Sequence, residues 1–127
     1  LKAVLLDTHV WAWSLTEDDR LSSKAIAAIE NATQVLISPI SFFEIGQKVR
    51  IGKWPEMATV VESLPQILEQ QGGSIAALEP QICLAASLLA WEHRDPFDRL
   101  IGATALHYNL PLLSADTVFD GLVTRIW

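Results

Sequence analysis

The feature that most limits what this chain can become is a set of short, wholly apolar runs set between longer stretches of helical pattern. Val4-Leu5-Leu6 follows Lys2, Val35-Leu36-Ile37 follows a polar turn at 31–34, and Leu112-Leu113 with Ser114 follows Pro111. Each run is too short for a helix, and none alternates apolar with polar residues. A strand wetted on one face alternates, whereas a strand buried on both faces does not. Strands of the second kind belong to a parallel sheet covered by helices on both sides, joined by right-handed crossovers that follow from the sheet twist.

The segments between the runs read as helices. One spans Thr8 to Leu15 and carries Trp11 and Trp13; a second, with Ser22 as N-cap, runs to about Glu30. A third opens at Pro39 or Ile40, carries Phe43, Glu44, Gln47, Lys48 and Ile51, and stops at Gly52. A fourth runs from Glu56 to about Gln70 with Pro65 as an early break, a fifth from Glu79-Pro80 to about Trp91, and a sixth from Phe97 to about Tyr108, closed by Asn109 and Pro111. Ser74 to Leu78 is a weak strand, Val118 to Leu122 a helical turn, and Val123 to Ile126 a last edge strand. The expectation is an α/β chain with a mainly parallel sheet of four to five strands, Val4–Leu6 at its centre. No repeat, linker or low-complexity tract interrupts the chain, so residues 1–127 are expected to form a single domain.

Composition narrows the function. Half of the residues are apolar, which excludes a disordered chain. The net charge of −6 argues against a free-standing nucleic-acid binder that depends on Lys and Arg. It does not exclude a nuclease whose acids hold metal, and an acidic surface can accept a basic partner. Cys83 is the single cysteine, so no intramolecular disulfide forms, and its Ala- and Leu-rich surroundings suggest core packing. The opening apolar run is too short for a signal peptide and is interrupted by Asp7 and His9. No stretch reaches the length of a membrane span, and a cytoplasmic location is the expectation.

Chemistry is concentrated in four acids. In open parallel sheets ligands bind beyond the carboxyl ends of the strands, where the strand order reverses. Asp7 directly follows the first run, and Asp116 follows Leu112-Ser114 by one intervening residue. Glu44 lies inside the third helix, and Asp98 in the first turn of the sixth, with Ile101 and Ala105 on roughly the same face. Each acid also has a plainer use. Asp7 and Asp116 could cap the turns that follow them. Glu44 could pair with Lys48 at i,i+4, and Asp98 could complement the helix dipole. Were all four to share one cleft, their repulsion would call for a cation. Hard oxygen ligands favour Mg²⁺ or Mn²⁺. Three histidines and one cysteine give poor support to zinc, and the isolated Gly46, Gly52 and Gly102 form no phosphate loop. No serine sits in a nucleophile elbow. His9 reads as packing near Trp13, and His107 as an exposed helix residue. Lys48, Arg50, Lys53, Arg94 and Arg99 could grip phosphates beside the acids or simply be solvated.

Four stretches carry a resemblance: "LLDTHVWAW" at 5–13, "ISPISFFEIGQKVRIGKW" at 37–54, "HRDPFDRLIGATAL" at 93–106 and "PLLSADTVFD" at 111–120. Together, and in this order, they resemble the PIN-domain family, and within it the VapC-like toxins of bacterial toxin–antitoxin pairs. The resemblance implies an α/β/α sandwich and a metal-dependent endoribonuclease using Mg²⁺ or Mn²⁺. It matches the catalytic, metal-holding acids to Asp7, Glu44, Asp98 and Asp116. Thr8 and Ser114 match small hydroxyl residues that line the site, and Asp95, Lys48 and Arg99 are further site-lining candidates. Hydrolysis is expected to leave 5′-phosphate and 3′-hydroxyl ends. The implied partners are an RNA substrate, an antitoxin with a basic or amphipathic tail, and a second copy of the chain. The five tryptophans suggest that the homodimer buries aromatic surface such as Trp54 or Trp91. Other readings are a DNA- or structure-specific nuclease on the same fold and a non-catalytic PIN-fold binding module. A metal-dependent phosphatase is disfavoured, because position 9, where a second Asp is wanted, holds His9.

Overall fold

The computed structural model describes residues 3–127. Its strands are β1 (Ala3–Leu6), β2 (Gln34–Ile37), β3 (Ser74–Ile75), β4 (Leu112–Leu113) and β5 (Arg125–Ile126). Its α-helices are α1 (Thr8–Thr16), α2 (Ser23–Asn31), α3 (Pro39–Arg50), α4 (Leu64–Gln70), α5 (Pro80–Leu88) and α6 (Pro96–Tyr108). The strands form one sheet in the order β3-β2-β1-β4-β5, and each neighbouring pair is parallel. The central place of Val4–Leu6 and the edge place of the last strand agree with the apolar patterning.

Alternation along β1 divides the core into two layers. Val4 and Leu6 pack with Val10 and Trp11 of α1, Ala25 and Ala28 of α2, Ile45 of α3, and Leu64 and Leu68 of α4. Leu5, with Leu112 of β4, packs on the other face against Ile101 and Ala105 of α6 and Phe119. Helix α5 forms an outer layer, with Ile82 and Ala86 against Ala103 of α6. Both faces of β1 are thus sealed, which is why its run needs no polar residue.

Local chemistry sets the helix ends. Ser22 accepts the Ala25 N–H at 3.0 Å, and Ser38 accepts the Ile40 N–H at 3.2 Å. Asp95 caps α6 by accepting the N–H groups of Phe97 and Asp98. Asn109 closes α6 in the left-handed conformation, a role that Asn tolerates better than most residues.

Three expectations are corrected. The stretch 56–70 is not one helix. It contains two 3-10 turns, Pro55–Met57 and Val61–Ser63, followed by α4, and Pro65 lies in the first turn of α4. Lacking an N–H, Pro65 starts a helix there more readily than it continues one. Helix α5 ends at Leu88, because Leu89 takes extended backbone with ψ 130°. Cys83 is exposed rather than in the core. Only Ile82 and Ala86, one turn apart, face α6, so the position between them points away.

Candidate functional site

From β1 the chain steps outward through β2 to β3, then returns to the other side of β1 as β4 and β5. The order therefore reverses between β1 and β4, the place where parallel sheets of this kind hold ligands. A cleft of about 330 Å³ opens there, lined by Asp7, His9, Trp13, Glu44, Lys48, Asp95, Asp98, Ala115 and Asp116. The four acids singled out from the sequence meet in one cleft.

Asp7 is built by the sheet. Leu6 pairs with Leu113, so the residues after them, Asp7 and Ser114, emerge side by side. The Ser114 hydroxyl donates to Asp7 Oδ2 at 2.7 Å, and the Thr8 N–H donates to Asp7 Oδ1 at 2.8 Å. Asp7 is only 8% exposed. Burial pushes its carboxyl above the ordinary range; the Ser114 and Thr8 bonds pull the other way, and the Glu44 charge adds to the rise. Ser114 Oγ also accepts the Asp116 N–H at 3.0 Å. Asp116 in turn caps the 3-10 turn at Thr117–Phe119 by accepting the Val118 N–H at 3.0 Å. One hydroxyl thereby links the two strand-end acids.

Glu44 and Asp98 come from helices. Glu44 is 5% exposed, and its Oε2 accepts from Lys48 Nζ at 2.7 Å on the next turn of α3. The i,i+4 pair considered from the sequence does form, but it is turned into the cleft rather than lying on an open helix surface. One turn before Glu44, Ser41 Oγ bonds Thr8 Oγ1 at 2.8 Å and ties α3 to α1. Asp98 Oδ2 lies 2.6 Å from His93 Nε2. Burial raises the Asp98 carboxyl to about 6; the Asp7 and Asp95 charges push the same way, and the His93 bond opposes them.

The remaining sequence candidates divide. Lys48 and Asp95 belong to the cleft wall with the four acids, and Ser114 is buried behind it, bonded to Asp7. Thr8 is fully buried behind it. Arg99 turns away: its guanidinium donates to five carbonyls, those of Ala86, Ser87, Leu89, Trp91 and His93. It braces the chain between α5 and α6 and so holds His93 against Asp98. His93, Ser41 and Trp13 were not singled out as site residues by sequence reasoning. His93 lay five residues before Asp98 in an obvious loop, and Trp13 sits two helical positions beyond Trp11, which faces the core. His9 packs near Trp13 as expected, with ring centroids 5.8 Å apart, and it also lines the cleft.

Among the described residues, no three His, Cys, Asp or Glu side chains stand close enough together to hold one metal ion. Each acid is engaged by a donor of the protein instead. The donor chemistry fits a hard divalent cation, since the cleft offers carboxylate oxygens from four elements and no thiol. Buried Asp7 beside Glu44 and Asp98 is a concentration of like charge that a cation would relieve. The structure therefore holds a gathered set of acids that is not closed into a coordination shell. Among the described residues, no helix is long and apolar enough to cross a membrane.

Comparison with known proteins gives a consistent result. The profile of the PIN domain matches residues 4–123. Ribonuclease VapC22 of Mycobacterium tuberculosis (strain ATCC 25618 / H37Rv) is 34% identical over 119 residues, covering 91% of this chain and 88% of that protein. Two solved structures share the fold. VapBC2 from Rickettsia felis, bound to a DNA fragment from its promoter, superposes with a TM-score of 0.67 at 16% identity, covering 97% of this chain and 96% of the other. A toxin–antitoxin complex from Klebsiella pneumoniae gives 0.64 at 21% identity, covering 98% and 96%.

Proposed function

Since the chain belongs to the PIN-domain family, we propose that it is a metal-dependent endoribonuclease and the toxin of a bacterial toxin–antitoxin pair. The observation that carries this reading is the convergence of Asp7, Glu44, Asp98 and Asp116 on one cleft at the reversal of strand order. The likeness to a ribonuclease over most of both chains supports it.

In this reading the four carboxylates hold Mg²⁺ or Mn²⁺. When bound, such a cation would supply Lewis acidity at the scissile phosphate and to the attacking water. Asp7 is the fixed point of the set, held by Ser114 and Thr8 and shielded by burial. Glu44 and Asp98, held in this structure by Lys48 and His93, would complete it once those partners yield. Lys48, once released, offers its ammonium to a phosphate oxygen at the cleft wall.

The test is cleavage of a single-stranded RNA in Mg²⁺ or Mn²⁺ by Asp7→Asn, Glu44→Gln, Asp98→Asn and Asp116→Asn, read beside thermal melts. Loss of a metal ligand should cost more than the ~10–100-fold typical of an outer partner, with the fold intact. Asp7 and Asp116 are also caps, and Asn caps nearly as well as Asp. Full activity in those two variants would leave capping as their whole role. Parallel cleavage of single-stranded DNA separates the DNA-directed alternative.

The partners follow from the same reading. An acidic cleft suits an antitoxin segment that brings Arg or Lys to Asp7, Glu44 and Asp98. A homodimer would use apolar surface, but Trp54 and Trp91 are half-buried against the monomer's own core. The most exposed large apolar side chains are Leu88 (73%), Phe43 (62%) and Leu84 (62%), and these join the tryptophans as candidate dimer contacts.

A further inference from the structure

A row of rings leads out of the acidic cleft. His9 stacks on Trp54 with centroids 4.7 Å apart and planes inclined by 27°. It also meets Trp13 at 5.8 Å, and Trp13 meets Trp127 at 5.8 Å. Two cations lie over this row, each also paired with an acid: Lys48 Nζ, bonded to Glu44, is 5.5 Å from the Trp54 ring centre, and the Arg20 guanidinium, bonded to Asp18, is 5.0 Å from that of Trp13. His9, Trp13 and Lys48 share the cleft with the four acids.

Core packing does not account for Trp13. Helix α1 buries Thr8, Val10, Trp11 and Ala12, and Trp54 and Trp127 pack against the main core cluster. Trp13 is half-buried and, among the described residues, belongs to none of the three core clusters. A large ring at the lip of a charged cleft, flanked there by His9, Trp127 and Arg20, is one that a ligand of the cleft can meet.

The charge of the site indicates what that is. A cleft lined by five acids repels phosphate, so attraction to a nucleic acid must come largely from its neutral part. Bases provide it, since every base has a π-face and stacks on aromatic side chains whatever its identity. Cations near the rings then meet the backbone between bases. Duplex RNA keeps its bases inside the stack and cannot use such a row.

We propose that Trp13, His9 and Trp54 form a stacking platform for unpaired bases of a single-stranded RNA, with Lys48 and Arg20 serving the intervening phosphates. This rests on the ribonuclease reading and adds to it the residues that hold the unpaired bases.

The test measures binding of an unstructured RNA octamer to the full chain in EDTA, where cleavage is off, by fluorescence quenching and anisotropy. Trp13→Ala should weaken binding roughly tenfold or more, the size of one base–aromatic stack. Trp13→Phe should retain most of the affinity. Wild-type protein should bind an RNA with abasic positions at least as weakly as Trp13→Ala binds the intact one, which needs no variant to fold. In Mg²⁺, Trp13→Ala should raise KM far more than it lowers kcat. Equal affinity of wild type for duplex and unpaired RNA, or for intact and abasic RNA, overturns the platform. So does a Trp13→Ala variant that loses affinity only for a basic peptide. If the acids prove essential for cleavage while Trp13 is neutral, the platform fails and the nuclease stands. If the wild type cuts nothing yet binds RNA through Trp13, the nuclease reading fails and the platform stands.

Discussion

The two pairs of acids that meet in the cleft are held by different means. Asp7 and Asp116 leave strand ends and are satisfied by neutral donors: backbone N–H groups and the Ser114 hydroxyl. Glu44 and Asp98 leave helices and are satisfied by ionisable side chains, Lys48 and His93. Neutral bonds keep a carboxylate in place and leave its charge available, so the strand-end pair is organised in advance. An ammonium or imidazole partner must yield before the same oxygens can serve a cation, so the helix pair is guarded. That difference accounts for a cleft whose acids are gathered while no three of the described side chains stand as a metal shell.

Apart from loss of an acid itself, the largest effect should come from breaking the support of the strand-end half. Ser114→Ala removes the hydroxyl that joins Asp7 Oδ2 to the Asp116 N–H. Loss of a partner that orients a ligand costs ~10–100-fold in metal affinity or activity, and loss of a hydrogen bond to a charged group costs about 1.5–3 kcal/mol. RNA cleavage at several Mg²⁺ concentrations, with a denaturant melt, checks both. Unchanged cleavage would show that Asp7 and Asp116 need no common support.

A smaller effect separates the two halves by pH. The Asp98 carboxyl sits at about 6 when folded, against 3.8 for the free side chain. Between those values the folded chain binds the proton that the unfolded chain has released. The Asp98 contribution to metal-free stability should therefore be fullest below about 4, fall as pH rises to about 6, and level off beyond it. Asp7, raised by burial, contributes a fall of the same sign. Melts in EDTA across this range should show the slope. Asp98→Asn and Asp7→Asn should each remove part of it, and their shares measure how the cost of gathering charge is divided between helix and strand. A stability that rises through this window would contradict both assignments.

How much of this was legible depends on how local the cause is. The central strand could be read because Val4, Leu5 and Leu6 state their burial on both faces directly. The strand-end acids could be read because a residue that ends such a run must stand at the sheet edge. Ser114 beside Asp7 depended on register, which follows from pairing of Leu6 with Leu113 and is not written in either segment alone. Arg99 was misleading because it stands beside Asp98 in sequence, whereas its five partners are carbonyls of the last turn of α5 and the loop after it, 6 to 13 residues earlier. Cys83 read as core from composition, but only the two positions of α5 that meet α6 are buried.

The smallest effect belongs to Asp95, and it sharpens the comparison most. Asp95 lines the cleft and caps α6 by accepting from the N–H groups of Phe97 and Asp98. Asp116 likewise lines the cleft and caps the turn after it. By local geometry the two are alike, and only the proposed metal role separates them. Asn caps about as well as Asp, so Asp95→Asn and Asp116→Asn should both melt close to wild type. Cleavage should then part them, falling steeply for Asp116→Asn and by only a small factor for Asp95→Asn. Asp95→Ala should cost about 0.5–2 kcal/mol, typical of a lost cap, with activity recovered below the melt. Removing the Asp95 charge also takes away one of the influences that raise the Asp98 carboxyl. The pH at which metal-free stability levels off should therefore move slightly lower in Asp95→Asn. Were Asp95→Asn to lose as much cleavage as Asp116→Asn at unchanged stability, the working set would contain five acids, and α6 would supply two of them.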